Sequence, residues 1–382
     1  MTGTAESAAA GVAGALATMT PPSRSFASDN SAGAHPKVME AIVAANAGHT
    51  PAYGDDPWTA RCEDAFRDLF GAPVEVALVF GGTGANVVAL HTLCTRDSTV
   101  ICTADSHIAL DEAGAPEHIT GAQLEGYPWN SEGKLSPDAI VDAAERFGRI
   151  HIHDSSRGPH VVSLTQATEV GTVYTQDELA ALCETAHRHD MVVHVDGARI
   201  TNALAAWGFG ADRLAGGCRA LGAAGVDVVA FGGTKAGLLG AEAAVFINPA
   251  LAGPLAERRK QATQTASKMR FLAVQFLAAI DGGAILAWSQ HANDMAARLA
   301  GRLSEIPGVA LRYPVDSNAV FAVLPAAAVA ALTAWTEFYV WDPHSNLVRF
   351  VASWDTTPDD VVALSAGVRV ACGTGHRHKH RQ

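Results

Sequence analysis

A lysine and an aspartate that each follow a predicted buried strand are the residues in this sequence best placed for covalent chemistry. Lys235 comes after the β-branched stretch 226–231 and two glycines, and Asp196 ends the apolar stretch 191–195. Burying an ammonium is unfavourable, so a lysine at the end of a core strand is either a solvated cap or an amine held for chemistry such as Schiff-base formation. Taken alone, the solvated cap is the more frequent case.

Other reactive groups follow predicted strands in the same way. In parallel α/β sheets, ligands bind beyond the carboxyl ends of the strands, so these turns are expected to meet. The turn GGTGAN at 81–86 leads directly into a helix, whose free N–H groups can hold a phosphate together with Thr234. Asp196 can keep a pyridine nitrogen protonated, His107 can stack on a planar ring or move protons, and Arg199 can pair with a carboxylate.

Each of these groups also has a structural explanation. The glycine turn can be only a tight turn, Asp196 or His107 can cap a helix, and Arg199 can form a surface ion pair. These explanations are independent of one another, whereas a cofactor site explains all the groups at once and requires Asp196 and Lys235 to lie one β-α-β crossover apart. The combination favours pyridoxal 5′-phosphate (PLP), with Lys235 as its covalent attachment.

The order of predicted elements indicates an α/β fold with a mainly parallel sheet. Apolar stretches alternate with helical patterns, including a helix that starts at a capping box formed by Thr175 and Glu178. A long helical region is predicted at 249–280, and a smaller α+β pattern follows it. Strands are predicted at 76–80, 99–103, 149–153, 161–166, 191–195, 226–231 and 242–247.

Four segments are predicted from these patterns. Residues 1–22 are mostly Ala, Gly, Ser and Thr and are expected to be a disordered extension. A large PLP-binding domain is expected at 23–283 and a small C-terminal α+β domain at 284–372. The basic, His-rich tail at 373–382 is expected to be solvated rather than a metal site.

Composition limits the possible partners. A net charge of −12 and a pI near 5.7 argue against nucleic-acid and anionic-membrane partners. The six cysteines show no C-x-x-C pair, which is typical of reduced core thiols and predicts a cytoplasmic location. We expect no membrane span, because we find no apolar run in the sequence that approaches the roughly 20 residues a span requires.

Nine motifs in a fixed order resemble the threonine aldolase group of the aspartate-aminotransferase-like, fold type I PLP enzymes. LTQATEVGTVY and FGGTK are most similar to the bacterial low-specificity branch, which includes L-allo-threonine and phenylserine aldolases. The motifs are SDN at 28–30, YGDDPWTAR at 53–61, GGTGAN at 81–86, DSHI at 105–108, VVSLTQATEVGTVY at 161–174, HVDGARI at 194–200, FGGTK at 231–235, SKMRF at 267–271 and RFVASWDT at 349–356.

The resemblance implies a carbon–carbon lyase that reversibly cleaves 3-hydroxy-L-amino acids, such as L-threonine, L-allo-threonine and L-phenylserine, to glycine and an aldehyde. It implies a homotetramer, a dimer of dimers with its sites at dimer interfaces. The resemblance implies that Lys235 and Asp196 hold PLP, and that His107 stacks on the cofactor and acts as, or positions, the base that takes the β-hydroxyl proton. The implied substrate-carboxylate ligands are Ser28, Arg199 and Arg349, and the implied further cofactor ligands are Gly82, Thr83, Gly84, Asn86, Arg199, Thr234 and, from a neighbouring subunit, Tyr53.

Two departures from the family pattern concern recognition of the hydroxyl side. Glu169 stands where many relatives have a histidine, and Asp111 stands where an aromatic residue is common. We expect both to bind substrate, with Asp111 facing the β-hydroxyl or side chain. Two alternatives stay open: another fold type I enzyme, such as a β-eliminating lyase or hydroxymethyltransferase, and a non-catalytic binding protein on the same fold.

Overall fold

The computed structural model describes residues 12–150 and 159–373, which form two compact units. The larger unit is Gly33–Ala287, and the smaller unit combines the described residues up to Ala32 with those from Trp288 onward. The sequence had predicted that the N-terminal segment belongs to the large domain and that the small domain starts at 284. The observed division differs because the N-terminal segment contributes to the small unit's core.

A seven-stranded sheet forms the centre of the larger unit. Its strands are β1 (Glu75–Val79), β2 (Thr99–Thr103), β3 (Gln123–Tyr127), β4 (Pro159–Thr165), β5 (Val192–Gly197), β6 (Val228–Phe231) and β7 (Glu242–Phe246).

The strand order is β1-β7-β6-β5-β4-β2-β3. Strands β2 to β6 run parallel, while β7 is antiparallel to both β6 and β1. Every residue of β2 and β7 is buried, as expected for a sheet covered on both faces. The predicted mainly parallel α/β fold is confirmed.

Helices connect these strands and pack on the sheet, with α4 contacting β5, β6 and β7. The predicted capping box is present at the start of α8, where Glu178 N–H donates to Thr175 Oγ1 at 3.1 Å and Thr175 N–H donates to Glu178 Oε2 at 2.7 Å. The helices are α1 (residues 12–17), α2 (Pro36–Ala45), α3 (Pro57–Phe70), α4 (Gly82–Leu93), α5 (His107–Leu110), α6 (Ala115–Thr120), α7 (Pro137–Ile150), α8 (Gln176–Arg188), α9 (Ile200–Ala206), α10 (Leu214–Ala223), α11 (Leu255–Gln261), α12 (Arg270–Ile280), α13 (Ala284–Ser304), α14 (Ala326–Thr333) and α15 (Pro358–Gly373).

Two predicted elements of the larger unit are corrected. The strand predicted at 149–153 is wrong for residues 149–150, which end helix α7; residues 151–153 lie outside the described residues. This segment forms a helix because Pro137 occupies its first position and apolar residues, including buried Ile140 and Ala143, recur at helical spacing. The helical region predicted at 249–280 is interrupted between α11 and α12.

The smaller unit contains an antiparallel sheet and an apolar core. Its strands are β8 (Ala310–Leu311), β9 (Ala319–Val323), β10 (Tyr339–Asp342) and β11 (Leu347–Val351), in the order β10-β11-β9-β8. The disorder predicted for residues 1–22 is wrong from residue 12, because Val12 and Leu16 of α1 are 3% and 1% exposed and pack into this core. Of the predicted tail at 373–382, Gly373 ends helix α15, and residues 374–382 lie outside the described residues, as do residues 1–11.

One apolar stretch, Arg270–Ser304, has the length and composition of a membrane span, with a mean hydropathy of 1.7 over its most apolar window. The sequence prediction had overlooked it. Half of that window is buried within the protein, and Gly282 adopts a left-handed φ of 64° between α12 and α13. Length and composition are weak evidence here, because buried core helices share them.

Candidate active site

Lys235 and Asp196 lie at the same edge of the large sheet. Lys235 lies in a 3₁₀ turn, Thr234–Ala236, that follows β6 after two glycines. Asp196 is the second-to-last residue of β5. The two strands pair in parallel, with Asp196 opposite Ala230. Their carboxyl ends therefore lie side by side, as the predicted crossover requires.

Asn86 joins two buried carboxylates at this edge. Its Nδ2 donates to Asp196 Oδ2 at 2.8 Å and to Glu112 Oε1 at 2.9 Å. An amide nitrogen carries two hydrogens, so each carboxylate receives one. The second oxygen of Asp196 accepts a hydrogen bond from Ala198 N–H at 3.0 Å. Asp196, 3% exposed, is thus held in a fixed orientation by its neighbours.

His107 is the exposed member of this hydrogen-bonded network. Its Nδ1 donates to Glu112 Oε1 at 3.0 Å, and 41% of its side chain is accessible. The hydrogen bond to Glu112 raises the pKa of His107, with help from the Asp196 charge and against burial and the Lys235 charge. Because Nδ1 faces a carboxylate, Nε2 is the nitrogen that can accept a proton.

Glu112 was missed by the sequence reasoning, which considered only its neighbour Asp111 as a site residue. Helix α5 ends at Leu110, and the following turn leaves Asp111 exposed and Glu112 4% exposed. An available signal was the break of the helical pattern at Ala113 and Gly114, which lets a carboxylate five residues after His107 turn back toward it. Substrate contact by Asp111 stays a prediction.

The start of α4 has the features of an anion site. Gly81 precedes the helix without a side chain that could cap it, so the first N–H groups are available to a ligand. A Cβ added at Gly81 or Gly82 would meet nothing within 4 Å, which shows open space above this turn. At Gly84, in contrast, an added Cβ would lie 2.7 Å from the Gln264 side chain. The predicted ligands Thr83 and Gly84 belong to this turn.

Glu169 holds the main chain at His107. One of its carboxylate oxygens accepts hydrogen bonds from His107 N–H at 3.0 Å and from Thr165 Oγ1 at 2.7 Å. Burial raises the pKa of this carboxyl group, partly offset by the hydrogen bond from Thr165. The structure therefore brings Glu169 to the predicted base; its contact with substrate stays a prediction.

The three predicted ligands of the substrate carboxylate are divided between the two units. In the smaller unit, Arg349 Nη2 donates to Ala27 O at 3.3 Å, next to Ser28, whose Oγ caps a 3₁₀ turn at Asp29–Ser31. The guanidinium of Arg349 also lies over the Tyr339 and Trp341 rings, 4.9 and 5.0 Å from their centroids. In the larger unit, Arg199 directly precedes α9.

Tyr53 is displayed on the surface of the larger unit. Its side chain is 61% exposed, its φ is 61°, and its N–H donates to Ser267 O at 3.0 Å. A tyrosine fixed in this way can reach a second protein chain. Its predicted contribution to a neighbouring subunit's site is untested.

Three side chains of this network lie close enough together to be considered as metal ligands. His107, Glu112 and Asp196 place possible ligand atoms within 4.8 Å of one another. The N–H groups of Asn86 and His107 already account for this approach, because they bond the carboxylate oxygens concerned. We therefore interpret the cluster as a hydrogen-bonded network.

Comparison with known proteins gives matches over nearly the whole chain. The sequence profile of the beta-eliminating lyase family matches residues 25–327. The low specificity L-threonine aldolase of Pseudomonas aeruginosa is 43% identical over 357 residues, which cover 93% of this chain and 100% of that protein.

Solved structures agree with this fold. The threonine aldolase of Leishmania major superposes with a TM-score of 0.80 at 27% identity and covers 91% of this chain and 98% of that one. A structure of the enzyme SPT with PLP superposes with a TM-score of 0.67 at 19% identity, covering 92% of this chain and 87% of that one, and shows the shared fold.

Proposed function

The chain belongs to the beta-eliminating lyase family and groups within it with the low-specificity L-threonine aldolases, and on that premise we propose that it cleaves 3-hydroxy-L-amino acids to glycine and an aldehyde. L-Threonine, L-allo-threonine and L-phenylserine are the proposed substrates. The proposed cofactor is PLP. The observation that carries the proposal is the network of Asn86, Glu112 and His107 built around Asp196, at the strand edge that presents Lys235.

The residues at this edge fit PLP. The open space at Gly81 and Gly82, with the free N–H groups of α4, suits its phosphate. Buried Asn86 Oδ1 and Glu112 Oε2 have no hydrogen-bond partner among the described residues, as expected where a polar ligand completes the site. Lys235 would attach the cofactor and Asp196 would hold its ring nitrogen. Gly82, Thr83, Gly84, Asn86 and Thr234 are proposed as its further neighbours, with Arg199 and, from a second subunit, Tyr53.

His107 is the proposed base. When bound, PLP would supply an electron sink for the electron pair of the breaking Cα–Cβ bond. His107 Nε2 accepts the β-hydroxyl proton, because its Nδ1 already donates to Glu112. The aldehyde carbonyl forms as that proton leaves, and glycine is completed by return of a proton to Cα. General base catalysis of this kind typically contributes about 10²–10⁴-fold to the rate.

Arg349 is the proposed main ligand of the substrate carboxylate, with Ser28 and Arg199 in the same role. The support is the fixed orientation of its guanidinium by Ala27 O and two aromatic rings. A planar guanidinium can bond both oxygens of a carboxylate.

We also propose a homotetramer in the cytoplasm. The exposed Tyr53 supports an assembly in which subunits complete one another's sites. All six cysteines are buried free thiols, which supports a reducing compartment. Mass measurement by light scattering checks the assembly, and a stable monomer with full activity would contradict it.

One experiment tests the reaction and the attachment site together. Purified protein loaded with PLP is given L-threonine, and glycine, acetaldehyde and ammonia are measured. Equal amounts of glycine and acetaldehyde without ammonia are expected, and ammonia release would favour β-elimination. Borohydride reduction followed by peptide mass spectrometry should then place a pyridoxyl group on Lys235. Lys134 is the internal control, because it is also a buried lysine, paired with Glu132 and Glu178, and should carry no pyridoxyl group.

A further inference from the structure

A buried carboxylate that the proposed mechanism does not use lies against the turn that carries Lys235. Glu242 is the first residue of β7 and is 5% exposed. Its Oε2 accepts a hydrogen bond from Gly233 N–H at 2.8 Å, and its Oε1 accepts one from Thr234 N–H at 3.3 Å. Both carboxylate oxygens are therefore bonded to the two residues that precede Lys235.

Packing around this turn also restricts its backbone, independently of the hydrogen bonds to Glu242. A Cβ added at Gly232 would collide with Ala198 O, and one added at Gly233 would collide with Ala241 O. Beyond Lys235, Gly237 has a φ of 108°, and Leu238 N–H returns to Gly233 O at 3.1 Å. The chain is thus packed on both sides, and Glu242 fixes the two N–H groups in the middle.

Burying an ionised carboxylate to hold a turn is energetically unfavourable. Burial raises the pKa of Glu242 to about 6, against its hydrogen bonds and the Lys235 charge, which favour the ionised form. An amide would offer one acceptor oxygen for both N–H groups and turn its NH₂ group toward the turn, whereas the carboxylate offers a separate acceptor oxygen to each N–H group. The use of a buried carboxylate therefore matches a need for two acceptors close to an ammonium.

We propose that Glu242 is a positioning residue that fixes the Gly233–Thr234 backbone and so holds the Lys235 amine where PLP attaches. The inference rests on the proposed attachment of PLP at Lys235. Glu242 touches neither substrate nor cofactor in this role. Its effect is expected in cofactor attachment, before any turnover.

The chain offers a matched control at the opposite end of β6. Asp227 immediately precedes that strand, is 7% exposed, and accepts a hydrogen bond from Val193 N–H at 2.8 Å. Like Glu242, it is a buried carboxylate bonded to backbone N–H. Asp227→Asn should therefore lower stability without affecting Lys235.

The test compares Glu242→Gln with Asp227→Asn in the full chain. Thermal unfolding of each apoprotein gives the structural cost, and titration with PLP, followed by absorbance, gives the dissociation constant. Glu242→Gln should weaken PLP binding by about 10- to 100-fold, the range expected for loss of a hydrogen bond to a charged group. Asp227→Asn should change it less than about 2-fold. Glu242→Asp, which keeps two acceptor oxygens, should recover part of the loss.

Equal PLP affinities for the two variants would overturn the inference, since Glu242 would then only stabilise the fold. If Glu242→Gln does not fold, Glu242→Asp and Asp227→Glu carry the same comparison through smaller changes. Failure of the proposed function is distinguishable, because wild-type protein would then show no pyridoxyl group on Lys235 after borohydride reduction.

Discussion

The Nδ1 atom of His107 and the Oε1 atom of Glu112 lie 3.0 Å apart across the turn that ends α5. This contact fixes the ring orientation and leaves Nε2 as the proton acceptor. The same Glu112 oxygen accepts from Asn86, which also bonds Asp196. The proposed base and the proposed cofactor ligand are therefore parts of one hydrogen-bonded network.

Glu112→Gln should move the pH dependence of the reaction. His107 must be neutral to accept a proton, so kcat/KM rises as pH increases through its pKa, which Glu112 raises. Removing the negative charge should shift that rise to lower pH. Profiles of kcat/KM against pH measure it, with Glu117→Gln as the control, because the side chain of exposed Glu117 accepts a hydrogen bond from the nearby Leu124 N–H at 3.0 Å. An unchanged pH profile would show that Glu112 does not influence the proposed base, His107.

Asn86→Asp should impair the site more than Asn86→Ala. The substitution to aspartate replaces a donor with a third carboxylate beside Asp196 and Glu112, while alanine only leaves two acceptors unbonded. Each unbonded buried group costs about 1–3 kcal/mol, and the like charges add to that. PLP titration and denaturant unfolding of the apoprotein measure both effects. Asn248→Asp is the control, since Asn248 donates to Asp227 at 3.2 Å far along the strand from Lys235; an equal loss there would contradict a site-specific role.

Arg349→Ala should weaken amino acid binding with little effect on cofactor affinity. Charge-assisted hydrogen bonds are worth about 1.5–3 kcal/mol, which corresponds to an increase in KM of about 10- to 150-fold. Steady-state kinetics with L-threonine measure it. Arg312→Ala is the control, because Arg312 also lies over an aromatic ring, Tyr313, in the same unit. A KM unchanged by Arg349→Ala would remove this arginine from the substrate site.

Asp360→Asn should destabilise the smaller unit, especially its N-terminal segment. Burial alone would raise the pKa of Asp360, but hydrogen bonds from Thr357 and Ser23 outweigh it and hold that pKa well below its usual range. Stability from this group is therefore present above the unfolded-state pKa of about 3.9 and is lost as pH falls toward the lower folded-state value.

We expect a loss of about 1.5–3 kcal/mol at neutral pH, from hydrogen bonds to a charged group. Unfolding curves between pH 7 and pH 3 measure it, and the difference between wild type and variant should shrink toward acid. Asp359→Asn is the control, since Asp359 is the exposed neighbour in the same helix. The N–H groups of Ser23 and Arg24 donate to Asp360 Oδ1 at 2.8 and 3.3 Å, so their hydrogen exchange should be faster in Asp360→Asn. Unchanged protection would show that Asp360 does not hold the N-terminal segment.

Local patterns were sufficient to predict the fold class and the main site loops. Lys235, Asp196 and the Gly81–Asn86 turn each follow an apolar strand, and such strands in a parallel sheet end at one edge. These residues could be placed together because the geometry of the sheet alone brings their loops close. The family resemblance then added roles that local geometry could not supply.

Contacts between distant segments could not be predicted in this way. Asn86 reaches Asp196 because α4 packs across the sheet, and Glu242 reaches Gly233 because β7 returns antiparallel to β6. Neither contact has a signature in its own stretch of sequence. Helix α1 was missed for a related reason: Val12 and Leu16 are bulky apolar residues of an Ala- and Gly-rich stretch, and most of the core cluster into which they pack comes from residues 295–372.

The smaller unit combines two segments that are far apart in the sequence, and this affects how it can fold during synthesis. Phe26 N–H donates to Glu337 O at 3.1 Å, and Val351 N–H donates to Phe26 O at 2.8 Å, so a segment that is synthesised early bonds segments that are synthesised much later. The continuous segment Gly33–Ala287 can fold as it emerges, since domains generally fold as units during synthesis. Residues 12–32 must wait, with Leu16 and Phe26 lacking their final partners, until the segment that starts at Trp288 has been synthesised.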